Sequence, residues 1–160
     1  MNQCYLLIGG NLNDRFALLE MAKKKILESI GLIIKFSSIY ETAPWGFESE
    51  QNFLNQVLIV STRLTPIKLL HTCLEIETDL GRVRRSVNYA SRTMDVDILF
   101  YNEEIVRTKQ IVIPHERLHL RRFTLKPLVE ISPDFIHPVF KKPLSLLLQE
   151  CEDHSEVIRL

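Results

Sequence analysis

The chain has 160 residues, of which 46% are hydrophobic, and its 20 lysine and arginine residues balance its 20 aspartate and glutamate residues. This length is that of one compact domain, so we expect a single domain over residues 1–160. The apolar fraction excludes a disordered chain, and zero net charge argues against a general nucleic-acid or membrane-surface binder. No stretch approaches the roughly 18 consecutive apolar residues of a membrane span, so we expect a soluble, cytoplasmic protein.

The N-terminal part predicts a strand followed by a helix. Residues 4–8 form an apolar run that is too short for a helix, which favours a buried strand. Asn13 or Asp14 is suited to cap the helix, and Gly31 stands where a left-handed residue would end it. The apolar positions of this helix recur at helical spacing: Leu19, Ala22, Ile26 and Ile30. Residues 32–42 are then rich in β-branched and aromatic side chains, which predicts a second strand.

The middle of the chain predicts a further strand and a second helix. Residues 53–64 regain strand character and would pair antiparallel with the preceding strand, across an irregular loop at residues 43–51. Thr65 followed by Pro66 is an N-cap and a first-turn proline, and the helix they begin would reach Gly81. Its apolar positions at helical period are Ile67, Leu70 and Leu74.

The C-terminal half predicts a strand over residues 94–101 and a turn at residues 102–104 into a further short strand. Helices follow near residues 116–121, 124–131 and 144–150. The order strand, helix, strand, strand, helix, strand is that of an α+β protein. We therefore expect a ferredoxin-like fold, with a largely antiparallel sheet and helices packed on it.

Three cysteines, Cys4, Cys73 and Cys151, lie in apolar patterns without the close spacing of a zinc site or a redox pair. We expect each to be a small buried side chain. An odd number of cysteines also fits a reducing compartment.

Two carboxylates and a group of arginines carry the clearest chemical signal. Asp95 and Asp97 alternate along a predicted strand, so both side chains point to one face, roughly 7 Å apart. Residues 82–126 carry ten basic and five acidic side chains inside a neutral protein. Guanidinium groups beside paired carboxylates are typical of a site for polyphosphate and Mg²⁺. From composition alone, two alternatives stay open. The aspartates would also suit a solvated sheet face, and the arginines would also suit a network of structural ion pairs.

A second set of residues suggests recognition of a flat heterocycle. Asn55 alternates with apolar neighbours on a predicted strand, and its amide presents both a donor and an acceptor. Phe53 or Phe123 is suited to stack on the face of such a ring. The alternative is a core phenylalanine and an asparagine with ordinary structural hydrogen bonds.

The motif Arg92-x-x-Asp95-x-Asp97, followed by Pro114-His115 and the distal Phe123, resembles the 6-hydroxymethyl-7,8-dihydropterin pyrophosphokinases of folate biosynthesis. The resemblance extends over nearly the whole chain. It is carried by residues 8–12, 40–46, 53–55, 80–82, 91–99, 113–115, 121–123 and 126–131. It implies transfer of pyrophosphate from ATP to the hydroxymethyl group of the pterin, which yields AMP and the pterin pyrophosphate.

The resemblance also implies roles for individual residues. Asp95 and Asp97 would hold two Mg²⁺ ions on the triphosphate, and Asp97 would help to deprotonate the pterin hydroxyl. Arg82 and Arg92 would join them in catalysis. The implied ATP-binding residues are Arg84, Arg92, Ile98, Ile111, His115 and Arg121. The implied pterin-binding residues are Thr42, Pro44, Trp45, Phe53, Asn55 and Phe123.

An RNA-binding module on a ferredoxin-like fold is the alternative from another class. Such modules stack bases on aromatic side chains of the sheet. In this chain Asp95 and Asp97 lie on the candidate strand and would repel phosphate unless a metal intervened. We therefore favour an enzyme that acts on ATP and the pterin as a monomer, without a nucleic-acid or membrane partner.

Overall fold

The computed structural model of the chain describes residues 1–44, 51–81 and 93–160. Its strands are β1 (Asn2–Gly10), β2 (Gly31–Phe36), β3 (Tyr40–Thr42), β4 (Phe53–Thr62), β5 (Asp95–Tyr101), β6 (Val106–Arg107), β7 (Val112–Ile113) and β8 (Val157–Arg159). Its α-helices are α1 (Arg15–Ser29), α2 (Pro66–Asp79), α3 (Arg122–Ile131) and α4 (Leu144–Glu150), and a short 3₁₀ helix spans Leu118–Leu120. Among the described residues, none of these helices has the length and apolar content needed to cross a membrane.

Six of the strands form one antiparallel sheet: five follow the order β5-β1-β4-β3-β8, and the sixth, β2, also pairs with β4. The strand β4 is long enough to pair with β3 through its first residues and with β2 through its last ones. The elements β1, α1, β2, β4, α2 and β5 follow the β-α-β-β-α-β order, and their strands lie side by side as β5, β1, β4 and β2. The prediction of an α+β, ferredoxin-like fold with a largely antiparallel sheet is confirmed.

The first two helices begin where local chemistry predicts. The side chain of Asp14 accepts a hydrogen bond from the Ala17 N–H at 3.1 Å and caps α1. Thr65 caps α2 by accepting from the Lys68 N–H at 3.4 Å, and Pro66 occupies the first turn, where its missing N–H costs nothing. Both helix starts are therefore encoded within four residues of sequence.

The two faces of the sheet bury different helices. Along β1, Leu6 and Ile8 point to the face covered by α1 and α2, whereas Tyr5 and Leu7 point to the face covered by α3 and α4. The helices α3 and α4 cover only part of the second face. Leu7 marks the boundary, since it packs in the core beneath these helices and also lines an open cavity. The uncovered part of this face forms the floor of the cavity.

Several local details of the structure differ from the sequence-based expectations. The strand predicted over residues 32–42 is interrupted at residues 37–39, where the Ser37 N–H donates to the carbonyl oxygen of Val57 at 2.9 Å. The helix predicted near residues 116–121 is only the 3₁₀ turn, and α3 begins at Arg122. The C-terminal strand β8 was not predicted at all, because its three residues show no periodicity.

The prediction for the cysteines is confirmed. Cys4, Cys73 and Cys151 are buried and free. Burial raises the pKa of Cys4 to about 12, so its thiol stays protonated at neutral pH. All three act as small core side chains.

Candidate active site

A cavity of about 550 Å³ opens over the uncovered end of the sheet. This volume is in the range of small-molecule sites. The structure brings ten of the predicted site residues to its walls: Thr42, Phe53, Asn55, Asp95, Asp97, Ile98, Ile111, His115, Arg121 and Phe123. They come from β3, β4, β5, α3 and the segment between β6 and α3, so the fold assembles positions that lie up to 81 residues apart.

The floor of the cavity is set by strand register. Gly9 on β1 pairs with Asn55 on one side and with Asp95 on the other. Leu7 pairs with Asp97 two residues further along the two strands. Because side chains alternate between the faces of a strand, Asp97 points to the same face as Asp95. The prediction that the two carboxylates share one face is confirmed, and Asn55 lies on that face with them.

The carboxylate strand is held from the opposite side by a buried glutamate. Glu77 of α2 is only 3% exposed, and its Oε1 accepts a hydrogen bond from the Val96 N–H at 2.9 Å. Val96 lies between the two aspartates, so this bond fixes the position of the strand that carries them. Glu77 also lines the cavity, although the sequence did not predict it as a site residue.

One end of the cavity has the features of a site for a flat ring. Asn55 is 6% exposed and Thr42 is similarly buried, so their polar groups are largely removed from water. Phe53 begins β4 and Phe123 lies in the first turn of α3, and both rings line the cavity. A buried amide, a hydroxyl and two aromatic rings suit a planar heterocycle with polar edges.

His115 is uncharged at neutral pH. Burial, followed by the charges of Arg121 and Arg117, lowers its pKa to about 4, although Asp95 acts in the opposite direction. Its Nδ1 accepts from the Arg117 N–H at 3.2 Å, which leaves Nε2 as the protonated nitrogen. The imidazole is therefore a hydrogen-bond donor at this pH, and it does not add a positive charge to the cavity.

Arg121 supplies a permanent positive charge to the cavity. It precedes α3, and its Cζ lies 5.7 Å from the centroid of the Phe123 ring. This distance allows a cation–π contact, so the arginine and the aromatic wall are positioned together.

A second lining cation, Lys109, was not predicted. The Thr108 hydroxyl accepts from the N–H groups of Gln110 and Ile111, at 3.2 and 3.1 Å, and so shapes the turn between β6 and β7. Lys109 lies in this turn and lines the cavity, together with Glu116. The available signal in the sequence was its position among the basic side chains of residues 82–126.

The described residues do not place every predicted site residue at the cavity. Pro44 is described by the structure, but it does not line the cavity, whereas the adjacent Ala43 does. Trp45, Arg82, Arg84 and Arg92 lie outside the described residues.

The carboxylates fit a magnesium–nucleotide complex better than an all-protein metal cage. In the part of the chain that the structure describes, no group of three or more histidine, cysteine or carboxylate side chains is placed to hold a metal ion. Mg²⁺ is usually held by one or two carboxylates together with substrate phosphates and water. Asp95 and Asp97 offer such a pair at the wall of an open cavity.

Fold and cavity together define an α+β protein with an open cavity whose walls combine paired carboxylates, a cation and aromatic rings. Residues 5–133 match the sequence profile of the 7,8-dihydro-6-hydroxymethylpterin-pyrophosphokinase family. The chain belongs to this family, and the resemblance inferred from its motifs is confirmed.

Individual relatives agree with this assignment. A 2-amino-4-hydroxy-6-hydroxymethyldihydropteridine pyrophosphokinase of Aquifex aeolicus is 42% identical over 144 residues, which cover 90% of this chain and 89% of that protein. The enzyme of the same name from Bacillus subtilis is 40% identical over 81% of this chain and 78% of its own length.

A solved structure of similar fold is the wild-type HPPK-DHPS of Plasmodium falciparum, with a TM-score of 0.74 over 94% of this chain. The sequence identity is 18%, so this likeness concerns the fold alone. The chain spans 43% of the length of that solved chain.

Proposed function

We propose that this chain transfers pyrophosphate from ATP to the hydroxymethyl group of 6-hydroxymethyl-7,8-dihydropterin, a step of folate biosynthesis. The observation that carries the proposal is the common floor of the cavity, where Asn55 and the two aspartates point to one face. This arrangement supports the proposal, because a heterocycle bound at Asn55 would lie beside phosphates bound at the two aspartates, as the transfer between two bound substrates requires.

The pterin occupies the end of the cavity formed by β3, β4 and α3. The Asn55 amide and the Thr42 hydroxyl bond the polar edge of the ring, while Phe53 and Phe123 contact its two faces. In the proposal Pro44 and Trp45 also contact the pterin. For these two residues the proposal rests on the family motif alone.

ATP occupies the other end. Ile98 and Ile111 contact the adenine, and His115 and Arg121 bond the phosphates, His115 through its Nε2–H. In the proposal further positive charge at the phosphates comes from Arg82, Arg84 and Arg92. Lys109, which lines the cavity, also contributes a positive charge there.

In the proposal Asp95 and Asp97 would hold two Mg²⁺ ions, and a pair of carboxylates at the wall of an open cavity suits metal ions that share phosphate and water ligands. Bound Mg²⁺ supplies charge stabilisation on the transferring phosphates. The hydroxyl oxygen of the pterin attacks the β-phosphorus, the bond from that phosphorus to the α-phosphate oxygen breaks, and AMP leaves. Asp97 accepts the proton of the hydroxyl group. Positioning and charge stabilisation provide most of the rate enhancement for such a transfer.

The deciding experiment is a coupled assay of AMP formation from ATP, with 6-hydroxymethyl-7,8-dihydropterin and Mg²⁺. We expect AMP only when both substrates and Mg²⁺ are present. Asp97→Asn should nearly abolish turnover, while Asp134→Asn, at an exposed aspartate outside the cavity, should leave it unchanged. Folded protein that forms no AMP above the control without pterin would refute the proposal.

The same preparation tests the remaining proposals. We propose one monomeric, cytoplasmic domain over residues 1–160, and light scattering measures its mass in solution. RNA binding that is salt-sensitive and survives chelation of Mg²⁺ would instead support the alternative of an RNA-binding module.

A further inference from the structure

The start of α3 lacks a cap of its own. Its N-cap residue, Arg121, makes no capping hydrogen bond through its side chain. The first N–H groups of a helix need acceptors from elsewhere, because no preceding turn supplies them. Asp153, far along the chain, provides one: its Oδ2 accepts from the Arg122 N–H at 3.0 Å.

Asp153 is itself held in place. Its Oδ1 accepts from the Ser155 N–H at 3.0 Å and from the Ser155 hydroxyl at 2.6 Å. Burial raises the pKa of Asp153, but these bonds, the bond from the Arg122 N–H and the charge of Arg122 outweigh it, and the pKa is lowered. A fixed, ionised carboxylate at a helix N-terminus is favourably placed relative to the helix dipole.

The capped residue, Arg122, lies in sequence between two residues that line the cavity. Arg121 and Phe123 flank Arg122 in sequence, and both line the cavity, with the guanidinium of Arg121 close to the Phe123 ring. A change in the direction of the first turn of α3 would therefore move a cation and an aromatic wall together.

The same C-terminal segment also reaches the opposite wall. It continues into β8, which pairs with β3 in a register that places Val157 beside Thr42. Thr42 lines the cavity at the end assigned to the pterin. The segment from Asp153 to β8 thus connects the helix that carries Phe123 with the strand that carries Thr42.

We propose that Asp153 is a positioning residue for the pterin end of the active site. It fixes the first turn of α3, and with it the position of Phe123 at the pterin end and of Arg121 beside it. Asp153 does not line the cavity itself, and it acts through the backbone of Arg122. The inference rests on the proposed pterin pyrophosphokinase activity.

The test compares Asp153→Ala with Glu152→Ala, which removes the same charge from the adjacent, exposed residue. We expect Asp153→Ala to raise the KM for the pterin about fivefold to tenfold, in proportion to the loss of one helix cap. The KM for ATP should rise less, because Arg121 is only one of several cations proposed to bind the phosphates. Glu152→Ala should match the unsubstituted protein. Asp153→Asn keeps one acceptor oxygen, so its KM for the pterin should be intermediate.

Binding of the pterin, followed by its own fluorescence, separates positioning from general destabilisation. If Asp153→Ala fails to fold, Ser155→Ala tests the same contact by removing one hydrogen bond to Asp153, and it should weaken pterin binding in the same direction. Unchanged pterin binding and KM in the folded variants would overturn the inference. An unsubstituted protein without activity would refute the proposed function instead, so the two failures are distinguishable.

Discussion

Gly9 and Asn55 are directly opposite each other on β1 and β4, and the Asn55 side chain occupies the space that a Cβ at position 9 would need. A Cβ built on Gly9 would overlap Oδ1 of Asn55 and the carbonyl oxygen of Leu54. The glycine therefore allows the Asn55 amide to lie close against β1, where Asn55 lines the cavity.

Gly9→Ala should displace the Asn55 amide and weaken pterin binding by roughly tenfold or more, the effect of disturbing one buried hydrogen-bonding group. The added methyl should also cost about 1–3 kcal/mol of stability, because it overpacks two adjacent strands. Pterin titrations and urea unfolding measure the two effects. In an Asn55→Ala background Gly9→Ala should have little further effect on binding; additive effects would contradict the coupling.

Lys109→Ala should raise the KM for ATP by about threefold to tenfold and leave the KM for the pterin unchanged. Lys109 is exposed at the rim of the cavity, so the effect should shrink as ionic strength increases. The control is Lys24→Ala, at an exposed lysine of α1 that does not line the cavity. Equal KM values for ATP in both variants would show that Lys109 does not contribute to nucleotide binding.

Features that depend on short-range chemistry were predictable from the sequence. The caps at Asp14 and Thr65 and the alternation of Asp95 and Asp97 each involve only a few neighbouring residues. The exact span of α4, residues 144–150, followed from the same kind of pattern. These elements include the strand that carries the proposed metal site.

Features that depend on distant partners were not predictable. Gly31 was expected as a left-handed helix end, but it begins β2, where a Cβ would overlap the carbonyl oxygen of Ser61 on β4. On α2 the apolar positions at helical period include Leu70 and Leu74, which line the cavity, and Leu70 also packs against the core. The residues that α2 buries are Leu69, Cys73, Ile76 and Glu77. Composition alone cannot separate an apolar cavity wall from a core face.

His137 should make stability depend on pH. Its ring stacks on Phe140, and its Nδ1 accepts from the N–H groups of Val139 and Phe140, both at 3.1 Å. Burial, followed by the charge of His119, lowers the pKa of His137 from 6.5 to about 4. Between these two pH values the unfolded chain binds a proton that the folded chain does not, so stability falls as the pH falls from 6.5 towards 4.

His137→Asn should flatten this dependence, because an asparagine oxygen can replace Nδ1 as acceptor without titrating. We expect the two proteins to differ in their loss of unfolding free energy by on the order of 1–2 kcal/mol between pH 7 and pH 4. Urea unfolding at a series of pH values measures the difference. Parallel curves for the two proteins would show that His137 titrates normally.

Glu130 of α3 should stabilise the segment between β2 and β3, where the predicted strand is interrupted. It accepts hydrogen bonds from the N–H and hydroxyl of Ser38 and from the Tyr40 hydroxyl, and it lies 3.4 Å from the Arg159 guanidinium. Burial raises the pKa of Glu130, but these partners outweigh it and the pKa is lowered. Its stabilisation is therefore present above pH 4.5 and is lost as the pH falls further.

Glu130→Ala should lower the unfolding free energy at pH 7 by about 2–3 kcal/mol, because it leaves the hydroxyl and N–H groups of Ser38 and Tyr40 without a charged acceptor. Arg159→Ala removes only an exposed ion pair and should cost less than about 1 kcal/mol. Urea unfolding at pH 7 and pH 3.5 compares the two, and the effect of Glu130→Ala should be smaller at the lower pH. Equal losses in the two variants would mean that the ion pair, and not the bonds to Ser38 and Tyr40, ties α3 to the start of β3.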